Sequence, residues 1–434
     1  MSAMTIGIIG IAALFILLLI GLPVGITMLL VGFFGYSSVV SFKGALGMLK
    51  GVEYSTVSNY SMSVVPLFIL MGFFAFYSGL SGDLYNFAHK MIGHRKGGLA
   101  LATLMACGFF SAICGSSTAT TATFGSICLP EMKKYNYEDS LATGCISAGG
   151  TLGILLPPSV GFILYGIIAS VSIGKLFAAG IIPGILLCIC YMIVVMIQVK
   201  LKPEKGPAST RSSWGDRFKA FLKASPMFVI FFISLGGMFI GWFTASQAAA
   251  IGATGSFLYL FVSRMANRTN IVGALKQTGE TVGMIFMILI GAYCLGYFFS
   301  VSMIPITLAN WVGSLAVSRW VILTCILIFY AILGCLMDSL SMVLLTTPIF
   351  LPVIISLDFD VVWYGVLMVL VMEMGQITPP VGMNLFIMKG CVGDTISMGA
   401  IILGAAPHIL AIVAVVILVC VIPQLALWLP AFIG

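Results

Sequence analysis

Charge is what this chain has least of. Asp, Glu, Lys and Arg make up 8% of its 434 residues, against 61% hydrophobic residues. With a mean hydropathy of +1.18, that balance excludes a soluble globular domain. Apolar–polar alternation is also missing. The apolar runs are long and continuous, which excludes a membrane β-barrel. Histidine occurs three times. None of the three follows a Ser–His or His-Glu-x-x-His pattern, and no paired aspartates stand in for them, so an intramembrane enzyme is not expected. No Gly-x-x-x-x-Gly-Lys-Ser/Thr loop is present to hold a nucleoside triphosphate. No Cys-x-x-Cys pair is present either. The 11 cysteines lie within apolar stretches and read as small buried hydrophobes. The run 4–30 has no basic segment before it and continues apolar past any cleavage pattern, so it does not read as a signal peptide.

What remains is an all-α polytopic membrane protein. Its net charge of +7 comes mostly from one segment. Residues 200–223 hold seven Lys or Arg against Glu204 and Asp216, which marks a cytoplasmic loop. No folded basic domain accompanies it, so nucleic acid is not an expected partner.

One motif occurs twice, 222 residues apart. Gly153-Ile-Leu-Leu-Pro157-Pro158 is followed by Gly375-Gln-Ile-Thr-Pro379-Pro380, and Leu129-Pro130 maps to Leu351-Pro352 at the same offset. A Pro-Pro pair removes two backbone donors and clashes with the preceding turn. In a membrane such a break survives only where protein, water or an ion satisfies the freed groups. Two related breaks in two halves point to a transporter site at a repeat interface.

Each break is preceded by an apolar segment with a polar middle. In the first, residues 98–130, the middle runs Cys114-Gly-Ser116-Ser117-Thr118-Ala-Thr120-Thr121. Lys96 precedes it and Lys133 and Lys134 follow, so both flanks read as cytoplasmic. That pattern predicts a re-entrant helical hairpin; two ordinary spans joined by a Ser/Thr-rich turn are the alternative. In the second, 321–352, the middle holds Gly334, Asp338, Ser339 and Ser341, and the far flank carries Asp358 and Asp360 instead of lysines. The inverted charge bias predicts an inverted-topology repeat.

The expected organisation is N-terminal scaffold helices (1–88), a first transport repeat (89–199, with the hairpin 98–130 and a broken helix 141–170), the basic loop (200–224), further scaffold helices (225–319), a second transport repeat (320–424, with the hairpin 321–352 and a broken helix 361–389) and a tail (425–434). Gly21, Pro23 and Gly25 predict a bend or break in the first apolar run, and a short amphipathic piece is expected around Lys43, Lys50 and Glu53. Later spans are expected at 226–240, 247–262, 283–301 and 397–421.

A broken helix offers free carbonyls at one end, suited to a hard cation, and free N–H groups at the other, suited to an anion. Asp338 and Glu373 are the acidic residues near the breaks in sequence. Asp338, on a predicted tip, suits sodium coordination or a hydrogen bond to a substrate hydroxyl or amine. Glu373 lies mid-span and reads equally as a packing contact or a water-facing group.

The stretches ICGSSTATTATFGSICLPEM, ISAGGTLGILLPPSVGFILYG and KLFAAGIIPGILL, with GCLMDSLSMVLLTTPIFLPV and MEMGQITPPVGMNLF in the second half, resemble the large membrane subunit of tripartite ATP-independent periplasmic (TRAP) transporters, the DctM-like family. The resemblance covers essentially the whole chain. It implies an elevator transporter of the bacterial inner membrane, driven by sodium without ATP hydrolysis or an organic cofactor. It also implies two partners: a small membrane subunit of about four spans, expected as a separate polypeptide, and a periplasmic binding protein that delivers a small organic anion. The family's sodium sites, carried onto this sequence, would use Ser111 and Ala112 with Gly153, Leu156 and Pro158, and Gly334 with Gly375, Thr378 and Val381, mostly through backbone carbonyls. Substrate would meet Ser116, Ser117 and Ser159 from the first half and Asp338, Ser339 and Asn384 from the second. No arginine lies there, so a carboxylate would rest on N–H groups and hydroxyls. A self-sufficient sodium/anion symporter is the alternative.

Overall fold

The computed structural model describes residues 2–314 and 317–433, and the described residues are helical throughout with no strand among them. Eight helical stretches among the described residues, some of them joining two of the elements below, are long and apolar enough to cross a membrane. The first apolar run is two helices, α1 (Ala3–Leu19) and α2 (Val24–Val39), broken where Gly21 and Pro23 predict it. The amphipathic piece is longer than expected. It is a full helix, α3 (Phe42–Ser58). Helices α4 (Val64–Tyr77) and α5 (Leu80–Ile92) lead to the first hairpin.

That hairpin is α6 (Gly98–Cys114) and α7 (Ser117–Lys134). Gly115 turns the chain in the left-handed region, with φ +66, which glycine adopts without cost. Ser116 then caps α7. The hairpin enters and leaves on one face. Before α6, the Gly97 N–H donates to Gly206 O at 2.8 Å, and beyond α7 the Glu138 N–H donates to Lys205 O at 3.0 Å. Both ends thus meet the same basic loop. The first broken helix follows as α8 (Asp139–Leu155) and α9 (Val160–Ile168), and α10 (Ile173–Leu201) returns to the basic loop.

The middle of the chain is α11 (Trp214–Phe231), continued through a π-turn into the short α12 (Gly237–Phe239), then α13 (Ala245–Val262), α14 (Arg268–Val301) and α15 (Ile304–Ser314). Helix α14 begins well before the predicted start of its span at 283. Its first turns carry Lys276, Gln277, Glu280 and Thr281, which lower hydropathy without breaking the helix. Residues 315 and 316, in the short apolar stretch before Arg319, lie outside the described residues.

The second half repeats the plan upside down. Its hairpin is α16 (Arg319–Gly334) and α17 (Ser339–Ser356), and its broken helix is α18 (Val361–Gln376) and α19 (Met383–Val392). Trp320 at the start of the hairpin packs on Phe359 beyond its end, with ring centroids 5.2 Å apart, so this hairpin also opens on one face. It is the opposite face. The start of α18 lies against the far half of the first broken helix, where Tyr165 Oη donates to Val361 O at 2.7 Å. Helix α20 (Met398–Val421) gives a second ruler. Just before it, Thr395 accepts from Lys133 Nζ at the base of the first hairpin (3.2 Å), while its far end at Val419 O accepts from Trp363 Nε1 (2.9 Å). A short α21 (Gln424–Leu427) closes the chain. Helices α8 and α20 cross with backbones in contact, since a Cβ on Gly404 would lie 1.9 Å from Ser140 O.

Candidate functional site

The two tips and the two breaks come together in pairs. At the first pair, a Cβ on Gly153 would lie 2.5 Å from Ser116 O, and one on Gly115 would lie 2.6 Å from Pro158 O. At the second, a Cβ on Gly375 would lie 2.4 Å from the Gly334 carbonyl carbon. There the Gly382 N–H donates to Cys335 O at 3.1 Å and Gln376 Nε2 donates to Met337 O at 3.0 Å. Main chain therefore touches main chain at both crossings. Both Pro-Pro bonds, Pro157–Pro158 and Pro379–Pro380, are cis.

Of the residues expected to hold sodium, Gly153, Pro158, Gly334 and Gly375 lie at these close approaches. Ser111 Oγ donates to Cys107 O at 2.6 Å, inside its own helix, and Ala112 follows it on the last turn of α6. The Leu156 side chain points toward Gly184 of α10, leaving its main chain in the extended stretch before Pro157 and Pro158. In the second half Thr378 Oγ1 donates to Met374 O at 2.6 Å, so its oxygen lone pairs stay available to a cation. Val381 is half-buried in the stretch between α18 and α19. Among the described residues no group of three or more His, Cys, Asp or Glu side chains is placed to hold a metal ion. Any cation held here would rely on carbonyls and hydroxyls, which suits a hard monovalent ion better than zinc or iron.

Four of the six residues expected at substrate, Ser116, Ser117, Asp338 and Ser339, line one cavity of ≈ 690 Å³. The other two lie outside it. Ser159 is fully buried as the cap of α9; its hydroxyl accepts from the Phe162 N–H at 3.1 Å and donates to Ile154 O. Its short side chain is occupied by the helix break itself. Asn384 is fully buried against α8, where Nδ2 donates to Ser147 O at 3.4 Å. As the second residue of α19 it faces the packed interior and not the cavity.

The cavity's far wall comes from α4 and α14, through Phe73 and Phe76 and through Gln277 and Thr281. Gln277 and Thr281 escape the sequence reading because their segment falls below span hydropathy. Their spacing of four, which puts both on one helix face, is the signal that was there to find. Gln376 is a further lining residue, next to Gly375 in the repeated motif.

Glu373 ties the two tips together. It is fully buried. Ser117 Oγ donates to its Oε2 at 2.5 Å and Ser339 Oγ donates to its Oε1 at 2.7 Å. Each serine is the first residue of the second helix of its hairpin. Of the two readings that the sequence leaves open, the structure selects the buried contact, and it is a bridge between the repeats.

A profile of the tripartite ATP-independent periplasmic transporter DctM component matches residues 11–425. The chain is 36% identical over 382 residues to the C4-dicarboxylate TRAP transporter large permease protein DctM of Pseudomonas aeruginosa, covering 88% of each chain. It is 31% identical to the isethionate TRAP transporter permease protein DctMQ of Oleidesulfovibrio alaskensis, covering 94% of this chain and 64% of that one. In structure it is similar to the Alcanivorax borkumensis YdaH transporter, with a TM-score of 0.66 at 14% identity over 90% of this chain and 88% of the other.

Proposed function

Because this chain belongs to the DctM component family of tripartite ATP-independent periplasmic transporters, we propose that it is the large permease of a sodium-coupled importer of small organic anions. The C4-dicarboxylates named for its Pseudomonas aeruginosa relative are the first substrates to try. Sodium binds where each tip meets its break. Helices α6–α9 and α16–α19 form the moving body, which carries the anion past a scaffold that includes α4 and α14. A separate small membrane subunit of about four spans widens the scaffold; the longer DctMQ relative, of which this chain covers 64%, accords with a partner of that kind. A binding protein delivers the substrate, and the complex sits in the bacterial inner membrane.

One observation carries the reading. Two inverted tip-and-break pairs close on one cavity, whose lining includes Ser116, Ser117, Asp338 and Ser339 on one side and Gln277 on the other. A site shared by mobile hairpins and a separate wall is the geometry alternating access requires. The helix starts supply N–H groups for an anion, and the breaks supply carbonyls for a cation.

The test is uptake into proteoliposomes holding this chain and its small membrane partner, supplied with substrate-loaded binding protein. Uptake is expected only with both the binding protein and an inward sodium gradient. Sodium-driven uptake of free substrate would establish a self-sufficient symporter instead. Uptake indifferent to sodium would overturn the coupling.

A further inference from the structure

Three separate stretches bring arginines together on the face of the basic loop. The Ser209 N–H donates to Gly93 O at 3.0 Å, and the Gly97 N–H donates to Gly206 O at 2.8 Å. The loop therefore lies along the turn between α5 and α6. Arg95 belongs to that turn, and Arg211 is two residues beyond Ser209. The start of α11 packs on α5, with the Phe221 and Phe87 ring centroids 5.6 Å apart, and brings Arg217. The charges of Arg217, Arg211 and Arg95 all reach His94. After burial of its ring, they hold it below the ordinary histidine range.

These arginines have no carboxylate partner. The ion pairs among the described residues are Lys205–Glu138, Lys276–Glu280 and Lys389–Asp394. Asp216, next to Arg217 in sequence, accepts from Ser213 Oγ at 2.8 Å, and the cations acting on it are Lys90 and Lys219. Like charges gathered without a counter-ion repel one another. Two nitrogens in the cluster, Arg217 Nε and His94 Nδ1, are also buried without a hydrogen-bond partner, which is costly. The cluster lacks an anion.

The adjoining surface is apolar. On α11, Trp214, Phe218 and Leu222 recur every four residues and are all exposed, while Ala220 and Ala224 are buried. At 3.6 residues per turn, Arg217 falls on the seam between the two faces, with its guanidinium carbon 4.9 Å from the centre of the Trp214 ring. The helical stretch Trp214–Phe239 is long and apolar enough to span, so the stripe enters the bilayer beside the basic loop. Exposed tryptophan at such a boundary sits at headgroup level. A free phosphate would leave the stripe unused. A zwitterionic lipid would bring its own ammonium to the arginines.

We propose that the seam between α11 and the α5–α6 turn binds an anionic phospholipid of the cytoplasmic leaflet, with its phosphate among Arg95, Arg211 and Arg217 and its acyl chains along Trp214, Phe218 and Leu222. Guanidinium forks match phosphate oxygens. The site stands apart from the importer reading and does not depend on it. The same loop bonds to both ends of the first hairpin, through Gly206 and Lys205, so the lipid anchors the strap at the hairpin's base to the bilayer.

The test titrates the delipidated full chain in detergent with phosphatidylglycerol and with phosphatidylcholine, and reads bound lipid by native mass spectrometry. Phosphatidylglycerol should bind at least about tenfold more tightly, with three cations at its phosphate. Arg217→Gln should weaken it about fivefold, the scale of one basic residue at a membrane surface, and Arg211→Ala should do the same. Neither should alter phosphatidylcholine binding. Arg211 lies outside any helix, so its variant carries the test if Arg217→Gln does not fold. Lys219→Gln removes a charge from the opposite side of α11 and should leave affinity nearly unchanged. Equal binding of the two lipids would overturn the site. A loss in Lys219→Gln as large as in Arg217→Gln would do so too, since it would mean diffuse attraction to a basic loop. Full displacement by glycerol 3-phosphate would mean that phosphate alone is held. Loss of phosphatidylglycerol on adding the small membrane subunit would assign the stripe to that subunit. Either result would overturn the lipid as occupant.

Discussion

The two halves of this molecule share a frame and differ in chemistry. At the tips, Ser116 and Asp338 stand 222 residues apart and do the same local task, each capping the helix that follows. One step on, Ser117 and Ser339 occupy matching first positions and reach the same carboxylate. At the breaks the correspondence fails. Glu373 maps to Thr151, whose hydroxyl shares a 2.7 Å hydrogen bond with Tyr191 Oη, and Thr378 maps to Leu156. The Glu373 carboxylate and the Thr378 hydroxyl thus have no counterparts of their own kind at the matching positions of the first half. Symmetry sets where the tips meet the breaks. The asymmetric substitutions decide what is held there, and one acidic side chain placed off the repeat joins the halves into a single site.

The frame is tested hardest by adding one methyl group. In Gly375→Ala the new Cβ would lie 2.4 Å from the Gly334 carbonyl carbon, and in Gly153→Ala it would lie 2.5 Å from Ser116 O. Main chain cannot rotate out of the way, so tip and break must separate. Each substitution is expected to lower uptake in the proteoliposome assay about 100-fold or more, the scale of a 1 Å misplacement at a working site. Equal losses would fit a frame that matters equally in both halves. A mild Gly153→Ala beside a dead Gly375→Ala would make the second pair the functional one.

How much of this was legible in the sequence depends on the range of the interaction. The Pro-Pro breaks are legible because proline lacks a donor wherever it stands, and the polar tips because a membrane does not accept idle hydroxyls. Hairpin inversion is visible in a few charges, Lys133 and Lys134 against Asp358 and Asp360. Helix α14 was misjudged by hydropathy, since Lys276 and Glu280 pair along the helix at 3.9 Å while lowering the average. The Glu373 bridge was out of reach. Its contact with Ser117 spans 256 residues, and no local pattern distinguishes a mid-span glutamate that bridges two helix starts from one that faces water. Asn384 and Ser159 show the converse. Both are polar and close to a break, yet the local turn of each aims it into the packed interior.

A smaller effect separates the two caps. Asp338 Oδ2 accepts from the Ser341 N–H at 2.9 Å, and Ser116 Oγ accepts from the Ala119 N–H at 3.3 Å. The first bond is shorter and charge-assisted, and its charge sits at the positive end of a helix. Asp338→Ala should therefore destabilise the protein by about 1 kcal/mol and Ser116→Ala by roughly half that. Thermal unfolding of the purified protein in detergent reads both. The reverse order would mean that the tips are held by their contacts with the breaks and not by their caps.

The smallest effect lies at the bases of the hairpins, where the halves use different cations. At the first, Lys205 Nζ lies 3.1 Å from Glu138 Oε1, with side-chain exposures of 20% and 43%. Burial acts to raise the Glu138 carboxyl, but the Ser140 hydroxyl and the Lys205 ammonium outweigh it and hold the group below the usual carboxylate range. A lowered folded-state value contributes stability above the unfolded value and loses it as pH falls through the folded one. Water screens so open a pair, so Lys205→Ala should cost about 0.5 kcal/mol or less near neutral pH. That cost should vanish in acid, once Glu138 is protonated in both states. At the second base, Arg319 lies 5.0 Å from the centre of the Phe359 ring. A ring has no proton to gain, so the comparable small cost of Arg319→Ala, about 0.5–1 kcal/mol, should persist in acid. Unfolding of both variants at neutral and acid pH makes the comparison. Parallel pH behaviour would mean that the Glu138 pair contributes nothing measurable and that the first base is held by its two main-chain bonds to Lys205 and Gly206.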